Sequence, residues 1–157
     1  MLFHPIIGRT RGGLIDEEMR KAARRIPEEV FNGRHPERAA ELVTEDFVGH
    51  NEPPGFPGGR DGLVAAAAMM TGAFSDLHYD ILDEIVEGDL VVHRARGTGT
   101  NDGELMGIPA SGKRPEWDEI HISRMAPDGR IAEHWGLVDT PAIMMAIGAM
   151  PAPPAAG

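Results

Sequence analysis

The stretch Trp117-Asp118-Glu119-Ile120-His121-Ile122-Ser123-Arg124-Met125 decides the predicted fold, because its apolar and polar residues alternate as they do in a β-strand. A period of two gives the first face Trp117, Glu119, His121, Ser123 and Met125, and the second face Ile120, Ile122 and Arg124. The first face sets an acid beside an imidazole, among a tryptophan and a methionine. This combination predicts a polar cluster in an apolar cavity, which is how small-molecule sites are usually built.

A second strand is predicted after a tight turn. Ala126-Pro127-Asp128-Gly129 is typical of a hairpin turn, and the alternation resumes from Arg130 to Asp139. It places Ala132, His134 and Gly136 on one face, and Ile131, Glu133 and Trp135 on the other. If the hairpin closes at Asp128-Gly129, His121 and His134 lie on adjacent antiparallel strands and approach directly or diagonally. The sequence leaves the register between the two strands open.

The remaining pattern predicts helices first and a sheet second. Helices are expected at 16–32, 36–43, 61–73 and 140–146, strands at 77–86 and 90–100, and three strand-like runs between Gly99 and Asp139. Pro27 removes a backbone donor inside the first helix, so a kink or break is expected near Arg25-Ile26. We expect an N-terminal arm at 1–13, one domain at 14–150 and a flexible tail at 151–157.

Composition excludes several classes of function. The chain has 157 residues, enough for one domain with a real core, and 15 Lys+Arg against 25 Asp+Glu give a net charge of −10. This acidic balance argues against a nucleic-acid partner. The absence of cysteine rules out disulfides and favours a reducing compartment. No signal-peptide pattern or membrane-length apolar run is found, so a soluble cytoplasmic protein is expected, with no membrane partner.

A series of short motifs carries a family resemblance. In chain order they are Asp46-Phe47-Val48-Gly49-His50, Gly59-Arg60-Asp61-Gly62, Glu87-Gly88-Asp89-Leu90-Val91-Val92, the block from Gly99 to Lys113, Ile120-His121-Ile122-Ser123-Arg124, Asp128-Gly129-Arg130-Ile131 and Glu133-His134-Trp135. Together they resemble the SnoaL-like polyketide cyclase and ester cyclase family, over roughly residues 17–150. The resemblance implies an α+β cone fold of the nuclear transport factor 2 type, in which a curved antiparallel sheet wraps a pocket closed by N-terminal helices. It implies no organic cofactor, and dimers are common in the family.

The chain also departs from this family at two positions. The well-studied anthracycline-type cyclases use an aspartate, two residues after a strand histidine, as the acid-base group of an intramolecular aldol closure. That position is Gly136 here, which has no side chain to move a proton and is expected to leave a space beside His134. Asn101 replaces the histidine of the usual Gly-Thr-His turn, and Asp139 is expected to cap the last helix.

The candidate catalytic residues are Glu119, His121 and His134. Glu119 and His121 form the predicted proton-transfer pair, because a carboxylate can orient an imidazole and raise its basicity, and His134 is expected to polarise a carbonyl group. The candidate substrate-binding residues are Phe47, His50, Asn51, Met69, Met70, Trp117, Met125 and Gly136. His93 is expected to be a core or interface residue, and the single Tyr79 does not supply the tyrosine–acid pair of steroid isomerases.

The predicted activity is acid-base chemistry on a hydrophobic, oxygen-bearing small molecule: cyclisation, isomerisation, dehydration or hydrolysis. A non-catalytic binding or scaffolding module is the main alternative, since Gly136 removes the usual acid-base group. His50, His121 and His134 as zinc ligands form a third alternative, but their spacing matches no known ligand motif and no metal is expected. The loop of Pro and Gly from Pro53 to Gly59 is either a lid over the pocket or a plain connection.

Overall fold

The computed structural model describes residues 14–154. The predicted arm at 1–13 and residues 155–157 of the predicted tail lie outside the described residues. The elements are α1 (Asp16–Arg25), a π-helical segment π1 (Ile26–Asn32), a 3-10 turn (Pro36–Arg38), α2 (Ala39–Leu42), β1 (Val43–Gly49), α3 (Gly59–Ala73), β2 (His78–Glu87), β3 (Leu90–Thr98), β4 (Glu116–Met125), β5 (Ile131–Val138) and α4 (Thr140–Ala146).

The first helix changes character at the predicted break. Its α-helical part ends at Arg25, and the π-helical segment begins at Ile26 with Pro27 in its first turn. Pro27 lacks the N–H that an α-helix needs and its ring crowds the preceding turn, so a wider turn follows. The predicted break near Arg25-Ile26 is confirmed.

The five strands form one curved, unclosed sheet in the order β1-β5-β4-β3-β2. Strands β2 to β5 pair antiparallel, and β1 adds a parallel pairing at the free edge of β5. Helices pack on the concave face of the sheet, which gives the expected α+β fold. Within residues 14–154, none of the helices combines the length and apolar composition that a membrane span requires.

The expectation that the helices at 16–32, 36–43 and 61–73 precede every strand is wrong at β1. Residues 43–49 form a strand between α2 and α3, where a helix was expected to extend to Val43. Asp46 and the exposed Val48 interrupt any clear alternation, so the local pattern does not announce a strand. The strand forms through pairing with β5, which lies more than eighty residues away in the sequence, and such partners are invisible to local periodicity.

The segment from Gly99 to Lys113 is also not a strand. It contains only the isolated bridges Phe74↔Asn101 and Leu105↔Ile108. Asn101 is completely buried, and its amide donates to the carbonyl of Gly103 at 2.9 Å and accepts from the backbone N–H of Ser111 at 2.9 Å. Asn101, which replaces the histidine of the Gly-Thr-His turn in the family that the sequence resembles, therefore holds this loop together.

The hairpin of β4 and β5 sets the geometry of the site. Its register pairs His121 with Gly136 and Ser123 with His134, so the two histidines are diagonal neighbours on the concave face. A bulge between Arg124 and Met125 shifts the start of β5. The shift turns Ile131 into the core, where it is 4% exposed, so its predicted place on the face opposite His134 is wrong.

Candidate active site

The concave face of the sheet holds a cavity of two adjoining chambers. The inner chamber has a volume of about 100 Å³, and the outer chamber, which widens toward solvent, about 450 Å³. Both are lined by Phe31, Phe47, Leu63, Tyr79, Glu119, His121 and His134. Most of the remaining lining is apolar, and the polar side chains are concentrated on the strands. A site of this kind suits an apolar molecule with a few polar groups.

A hydrogen-bonded chain of side chains crosses the junction of the two chambers. The indole Nε1 of Trp117 donates to Glu119 Oε1 at 2.6 Å, and His121 Nε2 lies 2.6 Å from Glu119 Oε2. On its other side, His121 Nδ1 lies 3.0 Å from His134 Nε2. The two imidazole rings are nearly parallel, with centroids 5.2 Å apart. Strand alternation places Trp117, Glu119 and His121 on one face of β4, as predicted.

The chemistry of the partners fixes the direction of these hydrogen bonds. An ionised carboxylate only accepts, so His121 carries its proton on Nε2 and its neutral form has a lone pair on Nδ1. His134 Nε2 then donates to that lone pair, and the lone pair of His134 lies on Nδ1. Among the described residues, this nitrogen has no hydrogen-bond partner, and it is not sealed from solvent. The chain thus ends in an open acceptor in the cavity wall.

Burial keeps the end of this chain neutral. Burial, then the charges of His121 and His50, lower the pKa of His134 to about 3, so His134 is uncharged at neutral pH. Burial and the nearby charge of Glu119 raise the pKa of Tyr79 well above its ordinary value of 10. Tyr79 is therefore a permanent hydroxyl donor in the cavity wall, beside Glu119.

Gly136 allows the two histidines to meet. A Cβ atom at this position would lie 2.9 Å from His134 Cε1 and 3.0 Å from His121 Nδ1, both closer than an ordinary contact. The prediction that Gly136 leaves a space beside His134 is therefore wrong, because the imidazole rings of His121 and His134 already occupy this space. The position that holds the acid-base aspartate of the anthracycline-type cyclases here accommodates a hydrogen-bonded pair of histidines.

Several predicted binding residues line the outer chamber. They are Phe47, Asn51, Met69, Met70 and Gly136. Asn51 Oδ1 accepts from the backbone N–H of Gly136 at 3.0 Å, and the N–H of His50 donates to the carbonyl of His134 at 3.0 Å. These two bonds continue the β1–β5 ladder to the mouth of the cavity, where Pro53 and Pro54 form part of the rim.

Three other predicted binding residues do not line the cavity. His50 lies across the sheet, where its ring stacks on Trp135 at 4.8 Å and its Nε2 lies 2.8 Å from Glu133 Oε1. Trp117 is 2% exposed and lies behind Glu119. Its indole N–H positions the Glu119 carboxylate, and its ring does not line the cavity. Met125 packs in the core against α1, since its place near the end of β4 lies beyond the chambers.

The position of His50 also excludes a zinc site formed by His50, His121 and His134. His121 and His134 are in contact with each other, whereas His50 faces the opposite side of the sheet. Within residues 14–154, no three His, Cys, Asp or Glu side chains are grouped as a metal site.

Sequence reasoning missed two cavity residues. Tyr79 lines both chambers and packs edge-on against Phe31 at 5.3 Å, although its strand lies at the edge of the sheet. His93 lines the inner chamber, and its Nε2 lies 2.6 Å from Glu84 Oε2. The turn residues of this hairpin are Gly88 and Asp89, so Glu87 pairs with Leu90 and Glu84 with His93. The predicted three-residue turn Glu87-Gly88-Asp89 is one residue too long, and counting outward from it pairs Glu84 with Val92 instead.

Glu52 presents an unusual carboxylate at the mouth. It lines the outer chamber, and its Oε1 is buried without a hydrogen-bond partner within the described residues. A Cβ atom at Gly49 would lie 2.1 Å from this oxygen, so the carboxylate occupies the place of the missing side chain. Because Gly49 pairs with His134 across the β1–β5 ladder, this acid lies on the side of the mouth nearest the histidine pair.

Comparison with known proteins assigns the family. The model of SnoaL-like polyketide cyclases matches residues 21–147. The chain belongs to this SnoaL-like family. The chain is also 27% identical over 109 residues to the aklanonic acid methyl ester cyclase DauD of Streptomyces sp. (strain C5), a match that covers 68% of this chain and 67% of DauD. Aklanonic acid methyl ester cyclases are thus similar in sequence to this SnoaL-like chain.

Solved structures share the fold over most of the chain. TsrD from Streptomyces laurentii superposes with a TM-score of 0.77 at 27% identity, covering 87% of this chain and 99% of TsrD. IdmH from Streptomyces antibioticus gives a TM-score of 0.70 at 30% identity, covering 83% of this chain and 98% of IdmH. The α+β cone fold that the sequence resemblance implied is confirmed.

Proposed function

We propose that this protein is a cofactor-independent acid-base enzyme that closes a ring in a hydrophobic, polyketide-type carbonyl compound. The observation that supports this proposal best is the continuous hydrogen-bonded chain from Glu119 through His121 to His134, which ends in an open acceptor nitrogen in an apolar cavity. Similarity to aklanonic acid methyl ester cyclases supports an ester of a polyketide as the class of substrate.

The direction of the hydrogen bonds favours a proton relay. His134 Nδ1 takes a proton from the carbon next to a carbonyl group, and the electron pair of the broken C–H bond stays on the ligand as an enolate. As Nδ1 gains this proton, His134 Nε2 passes its own to His121 Nδ1. The positive charge then rests on His121 beside Glu119, rather than on His134, where burial disfavours it. His134 is in this scheme the proton acceptor, not the group that polarises a carbonyl.

Ring closure completes the cycle. The enolate carbon forms a bond with a second carbonyl carbon of the same molecule, whose oxygen becomes an alkoxide. The relay returns its proton to this alkoxide, so the reaction consumes no other reagent. In this scheme the hydroxyl of Tyr79, which lines both chambers, turns from Glu119 to donate to the oxygen that develops negative charge. The apolar walls hold the flexible chain folded, which makes the closure an intramolecular reaction of high effective concentration.

Proton abstraction can be measured without the natural substrate. We expect the wild-type protein to exchange the α-protons of 1-tetralone for deuterium in D₂O, followed by NMR. General-base assistance contributes about two to four orders of magnitude, so His121→Ala should slow the exchange at least about a hundredfold while 1-tetralone still binds. The control is His78→Ala, which removes an exposed histidine that also contacts an acid, Asp80.

The same experiment decides between enzyme and binding module. Exchange that persists undiminished in His121→Ala would move the chemistry to other residues. Binding of the ketone with no exchange in the wild-type protein would favour the non-catalytic alternative, in which the loss of an aspartate at Gly136 left only a pocket.

We also propose that the protein is a homodimer that acts in the cytoplasm. Ile120 and Leu137 pair across β4 and β5, and are 46% and 69% exposed, which leaves an apolar surface on the outer face of the sheet. Replacing both by lysine should convert the dimer to a monomer in sedimentation velocity experiments. Leu82→Lys, at a 39% exposed leucine of β2, is the control. A monomeric wild-type protein would contradict the proposal.

A further inference from the structure

A second histidine–carboxylate pair adjoins the inner chamber, which its histidine, His93, lines. His93 Nε2 is 2.6 Å from Glu84 Oε2, and both side chains are only 7% exposed. Arg24 of α1 holds the same carboxylate through two hydrogen bonds, of 2.7 Å to Oε1 and 3.1 Å to Oε2. Glu84 is therefore fixed from the helix side and orients His93 from the sheet side. The proposed relay uses none of these groups.

The strand register aligns this pair with the relay. Glu84 pairs with His93, His93 with His121, and His121 with Gly136, in one row across four strands. Directly paired residues on adjacent strands have Cβ atoms about 5 Å apart, so the imidazoles of His93 and His121 are neighbours on the concave face. Polar groups thus continue along the sheet wall from the junction of the chambers into the inner one.

Two atoms of the inner chamber have no hydrogen-bond partner within residues 14–154. Glu84 accepts from His93 Nε2, which leaves the lone pair of the neutral imidazole on Nδ1, and burial lowers the pKa of His93, so the neutral form predominates. Neither this nitrogen nor the hydroxyl of Ser123 has a hydrogen bond among the described residues, and neither is sealed from solvent. Polar atoms in such a position normally bind water or ligand.

The opposite wall of the inner chamber is apolar. It is formed by Ala23, Ile26, Pro27 and Phe31 of α1 and π1. The chamber therefore has one polar side, which includes a hydrogen-bond acceptor, and one side suited to the face of a ring. A hydrocarbon ligand would leave the hydrogen-bond acceptor of the chamber unsatisfied. A highly polar ligand would leave some of its own polar groups against the apolar side chains of the helices, without hydrogen bonds.

We propose that the inner chamber is a subsite for a phenolic or enolic ring, whose hydroxyl group donates to His93 Nδ1 and lies beside Ser123. The inference extends the proposed function, because the ring held here would belong to the same molecule whose reacting carbon faces His134. Recognition in the inner chamber restricts the substrate to molecules with a hydroxyl at the end remote from the reacting carbon.

The subsite is tested by comparing two probes in fluorescence titrations of the full chain. 2-Naphthol donates a hydrogen bond, whereas 2-methoxynaphthalene has the same ring system and no donor. One hydrogen bond contributes about 0.5–1.5 kcal/mol, so wild-type protein should prefer 2-naphthol about two- to thirteenfold. His93→Phe should abolish this preference, and Ser123→Ala, which leaves Glu84 and its partners intact, should reduce it. His78→Phe should have no effect, since His78 is exposed on β2.

Nitrogen NMR of the imidazoles distinguishes recognition from a purely structural role of His93. Addition of 2-naphthol should move the ¹⁵N resonance of His93 Nδ1 from that of a free acceptor toward that of a hydrogen-bonded one. An unchanged resonance, or an equal preference for both probes in wild-type protein, would overturn the proposal.

A His134→Phe variant separates this inference from the proposed function. It should lose ketone exchange but keep the preference for 2-naphthol. If the preference instead disappears in His134→Phe and survives in His93→Phe, the hydroxyl binds at the relay and the subsite is refuted. A wild-type protein that prefers 2-naphthol but does not exchange ketone protons would contradict the relay and support the subsite. A wild-type protein that exchanges ketone protons but shows no preference for 2-naphthol would contradict the subsite and support the relay.

Discussion

Replacement of Gly136 by alanine tests whether the missing side chain permits the contact between the histidines. The added Cβ would lie 2.9 Å from His134 Cε1 and 3.0 Å from His121 Nδ1, against 3.4–4 Å for an ordinary contact. Each ring must therefore move by roughly 0.5 Å, away from the point at which the two imidazoles meet. The movement lengthens the 3.0 Å hydrogen bond between them.

The expected cost follows from these displacements. Overpacking of a filled site costs about 1–3 kcal/mol, and the weakened hydrogen bond about another 1 kcal/mol. Replacing a glycine within a strand by alanine returns about 0.5–1 kcal/mol through lower chain entropy. We expect Gly136→Ala to lower the free energy of unfolding by about 1–3 kcal/mol.

Urea denaturation followed by circular dichroism gives this free energy, and ¹⁵N NMR of the imidazoles reports the hydrogen bond. The matched control is Gly72→Ala in α3, where an added Cβ meets nothing within 4 Å. The control should raise the free energy of unfolding by about 0.5–1 kcal/mol. If the two variants change stability in the same direction and the imidazole resonances stay unchanged, the argument from Gly136 is refuted.

Gly136→Asp extends the test to the family's acid-base group. It adds a charge between the imidazoles, so it should destabilise the protein more than alanine and weaken ligand binding. A variant with intact stability and new aldol cyclisation of a polyketide ester would show instead that the pocket still accommodates the aspartate.

Three further predictions concern groups around the cavity. Unfolded His134 binds a proton below its ordinary pKa of 6.5, whereas the folded form does so only near 3, so the free energy of unfolding should fall as the pH is lowered across that range; this group contributes about 1.4 kcal/mol per pH unit, and the slope should be shallower by that amount in His134→Phe. Glu52→Gln removes a charge beside an oxygen that is buried without a hydrogen-bond partner among the described residues, so the free energy of unfolding should rise by about 1 kcal/mol in urea denaturation. The exposed Glu104→Gln should leave it unchanged, and a less stable Glu52→Gln protein would contradict the reasoning. Tyr79→Phe should slow ketone exchange about 10- to 100-fold and change stability by less than about 1 kcal/mol, because it removes only the hydroxyl beside Glu119. Unchanged exchange would remove Tyr79 from the mechanism.

Local periodicity predicted the parts of the site that lie on one strand. The alternation in β4 is sufficient to bring Glu119 and His121 to the same face, and the turn at Asp128-Gly129 is sufficient to bring His134 near them. The order of the hydrogen bonds, from the carboxylate of Glu119 to the imidazole of His121 and then to that of His134, could be determined only from the register between β4 and β5. One residue of slippage would have turned His134 to the other side of the sheet.

Residues whose positions depend on distant pairing could not be predicted in this way. β1 is a strand only because it pairs with β5. The same pairing places His50 on the far side of the sheet from the cavity, where its ring stacks on Trp135. Tyr79 lies on the edge strand, which the curvature of the sheet brings over the cavity. Curvature and long-range pairing have no periodic signature in the chain.

The ladder between β1 and β5 gains one additional rung from a side chain, the bond from the N–H of Gly136 to Asn51 Oδ1. The rung anchors the strand beside the histidines before the chain leaves the sheet, so the rim from Pro53 to Gly58 is joined to a point that is already fixed. For enzyme engineering, this makes the rim an exchangeable module. Segments of other lengths and compositions could be inserted between Pro53 and Gly58 to admit bulkier molecules, while the residues that move protons keep their spacing.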